Sequence, residues 1–145
     1  MIRRLDPQEL STVAALWLDT NLRAHRFIPP SYWTGQFDSV RAMLPEAEVY
    51  VYDRSSIIDG FIGLAGGYIA GLFVRHKAQG AGIGRQLLEH AKALRPRLTL
   101  HVYAGNAGAL RFYLREGFTV CSVDTDTATG QEEYLMLWEA PSAGD

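Results

Sequence analysis

The stretch that most restricts the fold of this chain is 71–85, Gly-Leu-Phe-Val-Arg-His-Lys-Ala-Gln-Gly-Ala-Gly-Ile-Gly-Arg. Leu72, Phe73 and Val74 form an apolar lead-in, and glycines follow at 80, 82 and 84. Ile83, Leu87, Ala91 and Leu94 then recur at helical spacing. The pattern is a strand, a glycine-rich loop and an amphipathic helix. Such a loop bares the backbone N–H groups of a helix N-terminus, which is a site for an anion. Spacing separates the ligand classes that use it. A P-loop ends in Gly-Lys-Ser/Thr, whereas Gly84 is followed by Arg85-Gln86. A dinucleotide fingerprint puts its third glycine where Arg85 stands, and an acidic residue about twenty positions on. The chain there has Thr99-Leu100-His101-Val102. What remains is Gln-x-x-Gly-x-Gly, met by Gln79, Gly82 and Gly84.

The rest of the chain alternates helices and strands around this unit. A strand over 2–4 precedes Asp6-Pro7-Gln8-Glu9, which has the residues of a helix cap, an N1 proline and a capping box. The helix is predicted to run to about 23, with Leu10, Val13, Ala14 and Trp17 on its apolar stripe. Pro29-Pro30 breaks it, and a second helix is expected over 31–43. Strands are predicted over 49–52, 57–64 and 68–74 as an antiparallel meander. A helix from Ile83 is stopped by Pro96; a strand over 98–102, a helix over 107–116 and strands over 118–123 and 134–138 complete the order. The expected fold is a mixed α/β sheet in one domain over 1–139, with a frayed tail over 140–145.

Charge and composition exclude several classes. Fourteen basic side chains face sixteen acidic ones, so no basic excess marks a nucleic-acid binder. The apolar run 57–74 carries five glycines and Asp59, which suits two buried strands and a turn better than a membrane helix. No apolar run follows Arg3 and Arg4, so no secretory signal is predicted. The single cysteine, Cys121, cannot form an internal disulfide; a reducing, cytoplasmic setting and a buried strand position are expected for it. Four scattered histidines show no metal-ligand spacing.

A second segment joins the glycine loop: Asn106, Ala107, Phe112-Tyr113 and Gly117-Phe118, one strand downstream. Together the two segments and the element order resemble the GNAT superfamily of N-acetyltransferases over nearly the whole chain. The resemblance is greatest to small bacterial members of unassigned acceptor, which share a pattern like His25-x-Phe27-Ile28 and Tyr32-Trp33. It implies a GNAT fold: a twisted, mixed, mostly antiparallel sheet of six to seven strands flanked by about four helices. It also implies acetyl-CoA as cofactor, CoA as product, and direct transfer of acetyl to a primary amine on a small molecule, a peptide N-terminus or a lysine. A non-catalytic acyl-CoA-binding or sensing domain on the same fold is the alternative. Monomer and homodimer both remain open.

The resemblance implies roles for particular residues. Backbone N–H groups of Leu72, Phe73 and Val74 would hold the pantetheine and the thioester carbonyl. Gly80, Ala81, Gly82, Ile83, Gly84 and Arg85 would cradle the pyrophosphate, with Gln79 shaping the loop. Arg75, Lys77 and Arg85 are candidates for the 3′-phosphate. Tyr113 stands at the position of the general acid for the leaving thiolate, and Asn106 would bond the pantetheine as well as cap its helix. His101, where ribosomal-protein alanine acetyltransferases carry a glutamate, is a candidate base. His25 and a chain of waters are its rivals. His25, Phe27, Tyr32 and Trp33 are expected to line the acceptor pocket.

Overall fold

A computed structural model describes residues 1–141. Strands β1 (Ile2–Arg4), β2 (Glu48–Arg54), β3 (Ile57–Ala65), β4 (Tyr68–Val74), β5 (Arg97–Tyr103), β6 (Thr119–Thr125) and β7 (Glu132–Glu139) alternate with helices α1 (Leu10–Ala24), α2 (Pro30–Met43), α3 (Ile83–Leu94) and α4 (Ala107–Arg115). The tail expected to fray lies outside the described residues from 142 on.

Local chemistry sets the first elements. Asp6 accepts from the Gln8 N–H at 2.9 Å and Glu9 accepts from the Asp6 N–H at 3.0 Å, closing the predicted capping box. The box starts a single 3-10 turn, Pro7–Glu9, and α1 proper begins at Leu10. Val13, Ala14 and Leu16 of α1 pack on Val49, Val51 and Phe61. On the other face of the sheet, Ile83, Leu87, Leu88 and Ala91 of α3 pack on Ile62, Leu64, Leu98 and Leu100. Each fully buried leucine contributes roughly 1.5–3 kcal/mol relative to exposure. Strand β3 supplies both cores, which explains why it is apolar on both faces apart from Asp59.

The strands form one seven-stranded sheet in the order β1-β2-β3-β4-β5-β7-β6. Every ladder is antiparallel except β4–β5, which is parallel and holds a single registered pair, Tyr68 with Thr99. Beyond that pair the two strands part. Backbone groups of β4 that would face β5 are therefore left to face a gap. The insertion of β7 between β5 and β6 makes β6 an outer edge. Cys121 is consequently exposed, at a bulge between Val120 and Ser122, and not buried as its strand context suggested. Among the described residues, no helix is long and apolar enough to cross a membrane.

Candidate active site

The gap between β4 and β5 opens into a cleft of about 1170 Å³. Its first wall is the strand–loop–helix unit: Leu72, Phe73 and Val74 of β4, then Gln79, Gly80, Gly82, Ile83, Gly84 and Arg85. Gly80 and Gly82 have φ of +85° and +81°, a region that strains any side chain. Nothing lies within 4 Å of where a Cβ would stand at either position. These glycines therefore shape the backbone and leave it open; they are not packed against the core. No side chain caps α3, so its first N–H groups remain available at the loop. Gln79 bonds back to the Val74 carbonyl at 3.0 Å and ties the loop to the strand end. Of the residues predicted for the cradle, Ala81 alone is not on the wall.

The opposite wall comes from α4 and the end of α1. Asn106 and Tyr113 line it. Asn106 caps α4 through its side-chain oxygen, which accepts from the Ala109 N–H at 3.2 Å. Its amide nitrogen then faces His25 Nε2 at 3.2 Å. An amide N–H can only donate, so Nε2 of His25 accepts and the imidazole proton sits on Nδ1. Burial pulls the pKa of His25 down from 6.5 to about 4, which keeps the ring neutral. With its Nε2 lone pair engaged, His25 is poorly set up to take a proton from an amine.

Tyr113 is 8% exposed, between the rings of Phe112 and Phe118 at 5.1 and 5.5 Å. Burial pushes its phenol well above the usual value of 10. The hydroxyl is thus protonated at neutral pH, and Tyr113 is among the residues that line the cleft.

The remaining predicted residues stand elsewhere. Trp33 is buried, stacked on His25 at 5.3 Å and edge-on to Trp17 at 5.9 Å. Phe27 lies edge-on to His25 at 5.7 Å and packs on Gly105, where a Cβ would meet its ring at 2.6 Å. Tyr32 meets Trp33 at 4.8 Å. The three brace His25 from behind and do not line the cleft. His101 is exposed on the face of β5 that points away from α3, two residues past the last β4–β5 pair. Its Nδ1 is 2.8 Å from the Tyr68 hydroxyl. Nearby on that face, Tyr103 donates to Asp126 at 2.5 Å, and Glu133 pairs with Tyr103. The Tyr103 hydroxyl holds the Asp126 carboxyl low, whereas burial pushes Glu133 up.

The cleft also holds residues that sequence patterns did not single out. Arg23, Arg26, Lys92 and Arg115 join Arg85 on its wall, against two glutamates, Glu89 and Glu116. A chain of net charge −2 thus concentrates positive charge here. Arg23 and Arg26 flank the expected helix end, a visible signal that only gains meaning once the cleft is known. Lys92 is committed elsewhere: it donates to the Glu116 carbonyl at 2.6 Å and lies over Trp138 at 5.0 Å. Arg75 is not on the wall; its guanidinium turns to Asp59. An open loop of bare N–H groups, excess cations and a large cleft fit a long ligand with a polyanionic end.

A family model described as an acetyltransferase (GNAT) domain matches residues 45–120. The peptidyl-lysine N-acetyltransferase YiaC of Escherichia coli is 32% identical over 140 residues, covering 95% of this chain and 96% of that one. The chain belongs to the GNAT superfamily of acetyltransferases. The peptidyl-lysine N-acetyltransferase YjaB of Escherichia coli is 36% identical over 121 residues, 82% of each chain. Its apo solution structure superposes with a TM-score of 0.86, covering 97% of this chain and 98% of that one. The same fold recurs at 16% identity and a TM-score of 0.69 in yncA of Salmonella typhimurium, solved with its cofactor acetyl-CoA. Membership in that family, rather than the distant fold match, makes this chain an acetyl-CoA-dependent N-acetyltransferase. The family model covers β2 to the start of β6, and leaves α1, α2 and β7 outside it.

Proposed function

We propose that this enzyme acetylates the side-chain amine of lysine in peptides or proteins, with Tyr113 as the general acid. The observation that carries the reading is a buried, protonated phenol on the wall that faces the glycine loop. Bound acetyl-CoA supplies an activated acetyl group as a thioester. The N–H groups of Leu72 and Val74, which face the side where β4 parts from β5, orient that group and stabilise negative charge on its carbonyl oxygen, while the Phe73 N–H, like that of Arg75, faces β3. Residues 79–85 hold the pyrophosphate. Tyr113 gives its proton to the leaving sulfur, a step in which a positioned acid contributes about 10²–10⁴-fold.

His101 is the better base of the two histidines. It is exposed where the strands part, whereas His25 is buried, neutral and bonded to Asn106. Asp126 and Glu133 on the His101 face suit an acceptor that arrives as a cation. Two relatives named peptidyl-lysine N-acetyltransferases support lysine over other amines. His25 serves as a brace, holding the α1–α2 connection against α4. A lone cysteine and use of acetyl-CoA suit a cytoplasmic place of work.

The test offers acetyl-CoA with two peptides, read by mass spectrometry. One has an acetylated N-terminus and an internal lysine; the other has a free N-terminus and no lysine. Acetylation of the first alone is expected. Acetylation of the second alone would move the acceptor to the peptide N-terminus. Acetylation of neither, with small amines accepted, would overturn the peptide reading.

A further inference from the structure

Asp59 lies in β3, where residues 58–64 are all buried, and it is 1% exposed. A carboxylate in such a place must be paired. Two arginines pair it. Arg54 donates from Nε to Oδ2 at 2.7 Å. Arg75 donates from Nε and Nη2 to Oδ1 at 3.1 and 2.9 Å, and its backbone N–H donates to the Asp59 carbonyl at 2.7 Å. Asp59 therefore grips Arg75 by side chain and main chain together.

Arg75 is the first residue after β4 and caps the 3-10 turn His76–Ala78. Its carbonyl accepts from the Ala78 N–H at 2.8 Å, and Gln79 returns to Val74 at 3.0 Å. Gly80 follows at once. The glycine loop carries no side chain that could hold its own shape at Gly80, Gly82 or Gly84. Its geometry must be imposed from its ends. Behind the sheet, Arg75 borders a separate hollow of about 390 Å³, not the cleft.

We propose that Asp59 is a positioning residue for the phosphate end of acetyl-CoA, fixing the start of the glycine loop through Arg75. The inference rests on residues 79–85 being the pyrophosphate cradle. It differs from a direct phosphate contact by Arg75, and the two accounts predict opposite signs. If Asp59 merely restrains a phosphate-binding arginine, removing its charge frees the guanidinium and tightens CoA. If Asp59 positions the loop, removing it loosens CoA.

The experiment measures CoA affinity by calorimetry, and the steady-state kinetics of two acetyl donors, acetyl-CoA and S-acetyl-pantetheine, which lacks the pyrophosphate. Asp59→Asn is expected to raise the CoA Kd and the acetyl-CoA KM by about ten-fold, with kcat/KM for acetyl-pantetheine within about two-fold of wild type. Arg75→Lys keeps the charge but loses the planar fork, so it should show the same split. That variant carries the test if Asp59→Asn fails to fold, since the Arg75 side chain is 37% exposed. Equal loss with both donors would reduce Asp59 to a stabilising ion pair and overturn the proposal. Tighter CoA in Asp59→Asn, or unchanged CoA affinity in Arg75→Lys, would overturn it as well. A wild-type enzyme that used both donors equally well would instead overturn the pyrophosphate cradle, and the anchor with it.

Discussion

The two walls of the cleft are built by different means. The β4–α3 wall offers mainly backbone: strand N–H groups released by the parting of β4 and β5, and a loop with two glycines at positive φ. The α1–α4 wall is made of side chains that depend on each other. Asn106 caps α4 and fixes His25, while Trp33, Phe27 and Tyr103 surround His25. A backbone wall accepts any ligand of the right shape and charge, so one cofactor can serve many enzymes. A side-chain wall can be rebuilt residue by residue, but each change there is felt by its neighbours. The family model does not follow that division: it takes in the first wall and α4 of the second, and stops short of α1 and α2.

The sharpest way to separate the walls is Tyr113→Phe. The ring and its packing stay, and the proton is lost. We expect kcat to fall by about 10²-fold or more, with CoA affinity unchanged. Thiol-release kinetics and calorimetry check the two halves of that statement. Equal losses in both would mean that Tyr113 serves the cofactor wall instead.

Next in size is an acid effect confined to the side-chain wall. The pKa of His25 is lower when folded, about 4, than its ordinary 6.5. Between those values the unfolded chain binds a proton that the folded chain refuses. Stability from this group is full above pH 6.5 and is lost as pH falls to about 4, by about 3 kcal/mol in total. His25→Gln should lower stability at pH 7 and flatten its fall between pH 6.5 and 4. Urea melts at several pH values measure the difference between the two proteins. Parallel curves would show that His25 is not the group that titrates.

On the backbone wall, Gly82→Val forces a β-branched residue to φ +81°. The strain is about 1–2 kcal/mol, and CoA affinity should fall at least about ten-fold while kcat at saturation changes little. The smallest effect is expected for Asn106→Ala, with about 1 kcal/mol lost from the helix cap alone. Combined with His25→Gln, its loss should be less than additive, because each change removes the same 3.2 Å bond. A double-mutant cycle in urea reads that coupling.

What could be read from the sequence follows range along the chain. The capping box at Asp6 and Glu9 spans three residues, and the glycine loop is continuous, so both were visible. The partnership of His25 and Asn106 joins positions 81 apart and leaves no local mark. The exposure of Cys121 is not legible in the sequence, because strand periodicity does not reveal neighbours; β7 inserts beside β5 and leaves β6 on the edge. Proximity to the loop gives Arg75 the look of a phosphate ligand in the sequence, but its guanidinium turns to Asp59. The contrary clue was Asp59, one carboxylate in an eighteen-residue apolar run, which had to find a cation. The positive lining of the cleft was hidden for a related reason. Arg23 and Arg26 stand far in sequence from Arg85 and from Arg115, and the four share one cleft only in the folded chain.

The lone Tyr68–Thr99 pair has a mechanical consequence. Four strands on one side and three on the other form two stiff plates joined by one rung. A cofactor lying along β4 acts as a splint between them, taking the bonds an eighth strand would have made. Amide hydrogens of Leu72 and Val74 should therefore exchange slowly with CoA bound and rapidly without it, while that of Phe73, which faces Phe61 in the β3–β4 ladder, keeps one rate throughout.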